Sequence, residues 1–190
     1  YEATQSYSPT FNAFHKRLAE GLIERYNLRH KRVIEIGCGQ GEFLLLLCEL
    51  GENSGIGFDP AYDQRRPAAL QSERVRFIAD YYGEAYTDYQ ADFVCCKMTL
   101  EHIPNTLEFV QTVRRSIGTR YDTTVFFQVP NATYVLQEQA FWDIYYEHCS
   151  YFSEGSLRYL FEQSGFAVLD THVAYDRQYL MIEARPLAPQ

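Results

Sequence analysis

The stretch IYYEHCSYF, Ile144 to Phe152, places a glutamate and a histidine side by side among three tyrosines. Histidine is the side chain best suited to taking a proton near neutral pH. Phenol hydroxyls can donate hydrogen bonds to an oxygen on which charge develops. Neighbours in a strand face opposite ways, but in a turn both can face one site. His148 is therefore assigned the base and Glu147 an orienting or acceptor-binding role, with the exchange of the two left open. Tyr145 and Tyr146 are the expected donors.

A second chemistry-bearing run is VIEIGCGQGEF, in which Gly37, Gly39 and Gly41 follow a strand-like segment and precede a helix-like one. Such glycines let a ligand lie against bare backbone at the carboxyl end of a strand. Asp59 stands about 20 residues further on, where a carboxylate can hold both hydroxyls of a ribose. Asp80 closes the segment VRFIAD, placed to accept from an adenine amino group. A dinucleotide would bring its pyrophosphate to Glu42, an acidic residue at a helix start that should attract anions. The ligand that fits lacks phosphates and carries positive charge, and Glu35 suits its cationic end.

The elements that must position these residues follow from alternating periods. Phe11, Phe14, Leu18, Leu22 and Tyr26 recur at helical spacing, and KRVIEIG, SGIGFD, VRFIAD, ADFVCCKM and TTVFFQVP read as five strands. ADFVCCKM is apolar nearly throughout, as a strand covered on both faces should be. Asn105 and Glu108 predict a capping box, Gly118 a helix end, and Ser153 a further N-cap. FAVLDTHVAY and QYLMIEARP close the chain with little between them, which suggests an antiparallel pair at one edge. The expected fold is α/β: a Rossmann-like, seven-stranded, mostly parallel sheet with an antiparallel edge strand and helices on both faces. One domain over residues 1–190 is expected, with 131–152 forming an acceptor-site insertion after the fifth strand.

Composition narrows the partners. The net charge is −8 and no lysine- or arginine-rich block interrupts it, so nucleic acid is not expected. No apolar run approaches the length that spans a bilayer, and a secretory leader is not expected. Five cysteines without zinc-type spacing suit a reduced, cytoplasmic set, and no metal constellation is apparent. His15, His30 and His172 read as surface residues, and Phe141 and Trp142 as packed ones.

VIEIGCGQGEFL, GFDPAYD, Asp80 and ADFVCCKMTLEHI together resemble the class I S-adenosylmethionine-dependent methyltransferases. The resemblance implies that Glu35, Gly37, Cys38, Gly39, Gly41 and Phe43 surround S-adenosylmethionine, leaving S-adenosylhomocysteine after transfer. It further implies that Asp59 and Pro60 lie at the ribose, Asp80 and Tyr81 (with Tyr82 a further candidate) near the adenine, and Met98 and Thr99 near the transferred methyl. Tyr7, before the first helix, is expected to close over the methionine end, and His102 to face the acceptor.

YYEHCSYFS, with GSLRYLFEQSGF and QYLMIEARP, is similar to deoxysugar C-methyltransferases acting on nucleotide-linked keto sugars. That likeness implies that Tyr145, Glu147 and His148 sit at the sugar, and that deprotonation beside a ketone precedes methylation of the enolate carbon. Those enzymes carry a zinc module and a further C-terminal domain, neither of which occurs within these residues. Flanking domains of a longer chain, or a shorter relative with another small-molecule acceptor, are the two readings. The alternatives are O- or N-methylation in natural-product tailoring, and a domain that binds S-adenosylmethionine without turnover.

Overall fold

The computed structural model describes residues 8–63 and 74–188. Tyr7 lies outside the described residues. The elements are α1 (Pro9–Tyr26), β1 (Arg32–Ile36), α2 (Glu42–Gly51), β2 (Ser54–Phe58), β3 (Val75–Ile78), β4 (Phe93–Lys97), α3 (Thr106–Ile117), β5 (Thr124–Pro130), α4 (Ala132–Gln137), α5 (Glu154–Gln163), β6 (Phe166–Ala174) and β7 (Tyr179–Pro186). Seven strands form one sheet in the order β3-β2-β1-β4-β5-β7-β6. The antiparallel component expected at one edge is the β7–β6 pair, with β7 second from the edge. Among the described residues no helix is long and apolar enough to cross a membrane.

The chain divides into two compact units, Tyr1–Tyr82 with Ala91–Cys95, and Gly83–Gln90 with Cys96–Gln190. In the first, β1, β2 and β3 pair in parallel, Ile34 opposite Ile56 and Ile56 opposite Arg76. Parallel neighbours need a crossover, which α2 supplies between β1 and β2. It is apolar along the face it buries, through Phe43, Leu44, Leu47 and Cys48. Helix α1 starts at Ser8, whose hydroxyl accepts the Phe11 N–H at 3.3 Å, and buries Phe11, Phe14, Leu22 and Ile23. His15 is half-buried and packs on the Phe11 ring at 4.1 Å, so it is not the surface residue expected.

One buried amide ties these pieces together. The Asn53 side chain, fully buried, donates to the carbonyls of Leu28 (3.0 Å) and Leu47 (2.8 Å) and accepts from the Lys31 N–H (2.9 Å). It joins the ends of α1 and α2 to the entry of β1, so the strand that carries the glycine turn has a fixed origin.

The second unit is built on β5, buried at every position, paired antiparallel with β7 from Val125–Ala184 to Pro130–Tyr179. Phe127 meets Phe161 of α5 edge-on at 5.1 Å, and Phe161 meets Phe166 at 5.6 Å. Each such ring, taken wholly out of water, contributes about 2–3 kcal/mol. Ser153 caps α5 in a reciprocal capping box with Ser156. At α3 the box is altered: the Glu108 N–H reaches Asn105 Oδ1, but the Glu108 carboxylate takes the Asn105 side-chain amide (2.7 Å) rather than its backbone N–H. Arg114 ties α3 to the carbonyls of Gly118, Gly165 and Leu187.

Candidate active site

In the first unit β1 runs out at Ile36 into a turn where Gly37, Gly39 and Gly41 all have positive φ (68°, 54° and 87°). Two of these demand glycine for different reasons. A Cβ on Gly41 would fall on the Phe77 ring, which is itself held by Tyr62 stacked at 4.4 Å. Around Gly39 nothing lies within 4 Å of where a Cβ would point, so its bare backbone faces open space. That is a surface against which a flat ligand can lie.

Asp59, just past β2, is set at this turn by two backbone donors: Gly39 N–H to Oδ2 (2.8 Å) and Ala61 N–H to Oδ1 (2.8 Å). These use two of the roughly four acceptor sites of a carboxylate, leaving the others for hydroxyls. Cys38 reports the local field. Burial, then the negative charges of Glu35, Asp59 and Glu42, hold its thiol protonated well above the usual range. Carboxylates converging on a glycine turn disfavour a phosphate and favour a cationic nucleoside. The residues present thus fit S-adenosylmethionine.

The other expected contacts vary in their placement. Glu35 is buried at 3 % exposure in β1, and Phe43 is buried against His15 at 5.4 Å. Pro60 and Asp80 are exposed at the ends of β2 and β3, where the Tyr81 N–H donates to Asp80 Oδ1 at 2.7 Å. Tyr81 stands largely in solvent, whereas Tyr82 is buried edge-on against Phe58 at 5.1 Å.

In the second unit Met98 and Thr99 are half-buried after β4; Met98 has a positive φ of 49° and donates its N–H to the Gln128 carbonyl at 2.8 Å. A short 3₁₀ turn, Leu100–His102, follows. The loop carrying the opening stretch is clipped to this turn by the N–H groups of Cys149 and Ser150, which both donate to the Glu101 carbonyl (2.7 and 3.2 Å). The Cys149 thiol adds a contact to the His102 carbonyl at 3.6 Å. The clip sets the His148 ring perpendicular to that of His102, centroids 4.8 Å apart, with Tyr145 at 5.0 Å and Tyr151 at 5.5 Å. The Tyr151 hydroxyl accepts the Tyr145 N–H at 3.0 Å.

Burial lowers the pKa of His148, the neighbouring His102 lowers it further, and Glu147 opposes them. A lowered pKa favours the unprotonated imidazole, the form that can accept a proton. Glu147 is exposed and Tyr146 wholly so. Phe141 and Trp142 are not packed as expected: they meet each other at 5.2 Å and are 74 % and 57 % exposed.

Sequence reasoning missed Glu101. Its side chain is fully buried, and neither carboxylate oxygen has a hydrogen-bond partner among the described residues. Burial pushes its pKa up to about 8. Its position directly before His102 was the available signal. The sequence shows no metal-ligand spacing, yet the fold brings donor atoms of Glu101, His102 and His148 within 4.8 Å of one another.

Residues 11–171 match the family described as a methyltransferase domain. Among curated proteins, the chain is 32 % identical over 167 residues to the C-methyltransferase NovU of Streptomyces niveus, covering 84 % of this chain and 38 % of that protein. A mitochondrial ubiquinone biosynthesis O-methyltransferase of Dictyostelium discoideum is 24 % identical over 118 residues, 54 % of this chain and 36 % of its own length. The chain thus spans little more than a third of the curated relatives it matches. The crystal structure of Burkholderia thailandensis 1,6-didemethyltoxoflavin-N1-methyltransferase, with its substrate and S-adenosylhomocysteine bound, superposes with a TM-score of 0.70 at 18 % identity, over 92 % of this chain and 79 % of that one. With the glycine turn, the carboxylates around it and a family match over most of its length, the chain belongs to the methyltransferase-domain family, whose methyl donor is S-adenosylmethionine.

Proposed function

We propose that the protein methylates a carbon beside the ketone of a small polar metabolite, a nucleotide-linked keto sugar, with His148 as the base. The observation that carries this reading is the placing of the His148 ring against Tyr145, Tyr151 and His102 and next to Glu147 in a Y-x-E-H pattern, with its pKa lowered chiefly by burial. The 32 % identity to a protein named as a C-methyltransferase supports it.

Bound S-adenosylmethionine supplies a methyl group made electrophilic by its sulfonium. In the first unit, Gly39 presents bare backbone and Asp59 offers its remaining acceptor sites to the ribose hydroxyls. In the second, His148 takes the proton from the carbon alpha to the ketone, and the bonding pair moves to give an enolate. The Tyr145 hydroxyl donates to the enolate oxygen, lowering the cost of its charge. With the donor bound, the enolate carbon would take the methyl as the carbon–sulfur bonding pair returned to sulfur, and His148 would then release its proton to water. Glu147 orients the acceptor or the imidazole.

Incubation with a panel of nucleotide-linked keto sugars, read by mass spectrometry and NMR, tests the reading. A gain of one methylene located on the alpha carbon is expected. With S-adenosylhomocysteine in place of the donor, solvent deuterium should still enter that carbon in wild type and not in H148A. Methylation located on oxygen would replace this reading by the O-methylation that the second curated relative performs under its name.

A further inference from the structure

We propose that Glu101, His102 and His148 form a binding site for one divalent transition-metal ion. One ligand-capable atom from each residue lies within 4.8 Å of the other two. A four-coordinate ion with bonds of about 2.1 Å places its ligands about 3.4 Å apart, so side-chain adjustments of about an ångström close the triangle. The two imidazoles meet at 86°, an arrangement in which their nitrogens can converge without overlap of the rings.

The second observation is the state of the polar atoms. Glu101 is wholly buried, and among the described residues both its carboxylate oxygens lack a hydrogen-bond partner. His148 Nδ1 is buried and lacks one too. Buried polar groups in proteins are ordinarily hydrogen-bonded, paired or metal-coordinating, and each exception calls for an explanation, a bound ion among them. The Glu101 main chain is meanwhile fixed by the Cys149 and Ser150 N–H groups, so its side chain emerges from an anchored point. Exposed His102 gives the ion a route in from solvent.

Donor chemistry selects the ion. Two imidazole nitrogens and one carboxylate oxygen suit zinc, cobalt, nickel or iron(II), whereas magnesium and calcium take all-oxygen sets. Three protein ligands leave at least one position for water or an acceptor oxygen. An imidazole that lends its lone pair to a cation has none for a substrate proton, so occupancy and base catalysis by His148 exclude each other. The site stands without the proposed methyl transfer, and its test uses neither donor nor acceptor.

Protein stripped with a chelator is titrated with Co²⁺ alone, read by calorimetry and visible ligand-field absorption, then with Zn²⁺ as competitor. One equivalent of Co²⁺ should bind, with bands typical of nitrogen and oxygen ligands, and Zn²⁺ should displace it. E101Q and H102A should each weaken binding by more than the about 10- to 100-fold that losing a supporting hydrogen bond to a ligand costs. H172A disrupts the other carboxylate–imidazole group, Asp170–His172–Glu183, and should leave binding unchanged. Circular dichroism checks that each variant is folded; should E101Q unfold, H102A at an exposed position decides. The proposal is overturned by no saturable one-equivalent binding, by affinity retained in folded H102A, or by loss in H172A alone.

Discussion

Replacing Asp59 with Ala removes a carboxylate that accepts two backbone N–H bonds and is assigned the ribose hydroxyls. Hydrogen bonds to a charged group contribute about 1.5–3 kcal/mol each. Two ribose hydroxyls set a ceiling of about 6 kcal/mol, but water enters the space left by the carboxylate and recovers part of it. A net loss of about 2–4 kcal/mol follows, and each 1.4 kcal/mol is tenfold in affinity. The dissociation constant for S-adenosylhomocysteine should therefore rise about 30- to 1,000-fold. The fold pays less, because Ala61 is exposed and Asp59 half-buried, so water can satisfy the freed N–H groups. D59N, which keeps one acceptor oxygen without charge, should fall between wild type and D59A. Calorimetry with S-adenosylhomocysteine and with NAD measures both affinities, and a thermal melt separates binding from folding. Unchanged affinity in a folded D59A protein would refute the ribose assignment. Preference for NAD would refute the electrostatic argument built on Glu35, Asp59 and Glu42.

H148A should lower turnover about 10²- to 10⁴-fold, the range for losing a general base, while binding of S-adenosylhomocysteine stays within about twofold; steady-state kinetics beside calorimetry checks both. In G41A a left-handed φ and a methyl placed on the Phe77 ring act together, for a destabilisation of about 2–4 kcal/mol read from urea melts. For Asp92, burial acts to raise the pKa, but the Arg32 N–H (2.9 Å) and guanidinium (3.4 Å) outweigh it and leave it lowered. A lowered folded pKa means stability that is present above the ordinary aspartate range, about 3.9, and lost as pH falls through the folded value. D92N should flatten that acid limb by less than about 1 kcal/mol, since the pair is partly exposed; acid melts of both proteins would show an unchanged limb if the pair contributes nothing.

The alternation of periods made β1 to β5 and the helices between them legible, because parallel strands buried on both faces leave unbroken apolar runs. The placement of β7 between β5 and β6 was less so: pattern predicts two closing strands, but which of them meets β5 is a tertiary choice. The glycine turn was readable because backbone conformation is written locally, in residues 37–41. The contact of His102 with His148 crosses 46 positions and left no local trace. Glu101 went unnoticed because a glutamate beside a histidine after a strand looks solvated, and only the fold reveals its burial. Phe141 and Trp142 misled in the opposite sense, since aromatic character predicts packing and both remain exposed. Tyr81 and Tyr82 divide the same way, one outside and one in.

The clip at Glu101 has a consequence for how this enzyme can change. Its acceptor is a main-chain carbonyl and its donors, on Cys149 and Ser150, are main-chain amides. Point substitutions other than to proline leave those groups in place. Residues 139–144 can therefore drift in side-chain identity while the imidazole stays moored, and in the proposed reaction that drift would alter which metabolite is admitted. If the proposed acceptor site is right, such a segment would serve as an exchangeable cassette, and transplanting its counterpart from a relative would be the route to a new acceptor preference.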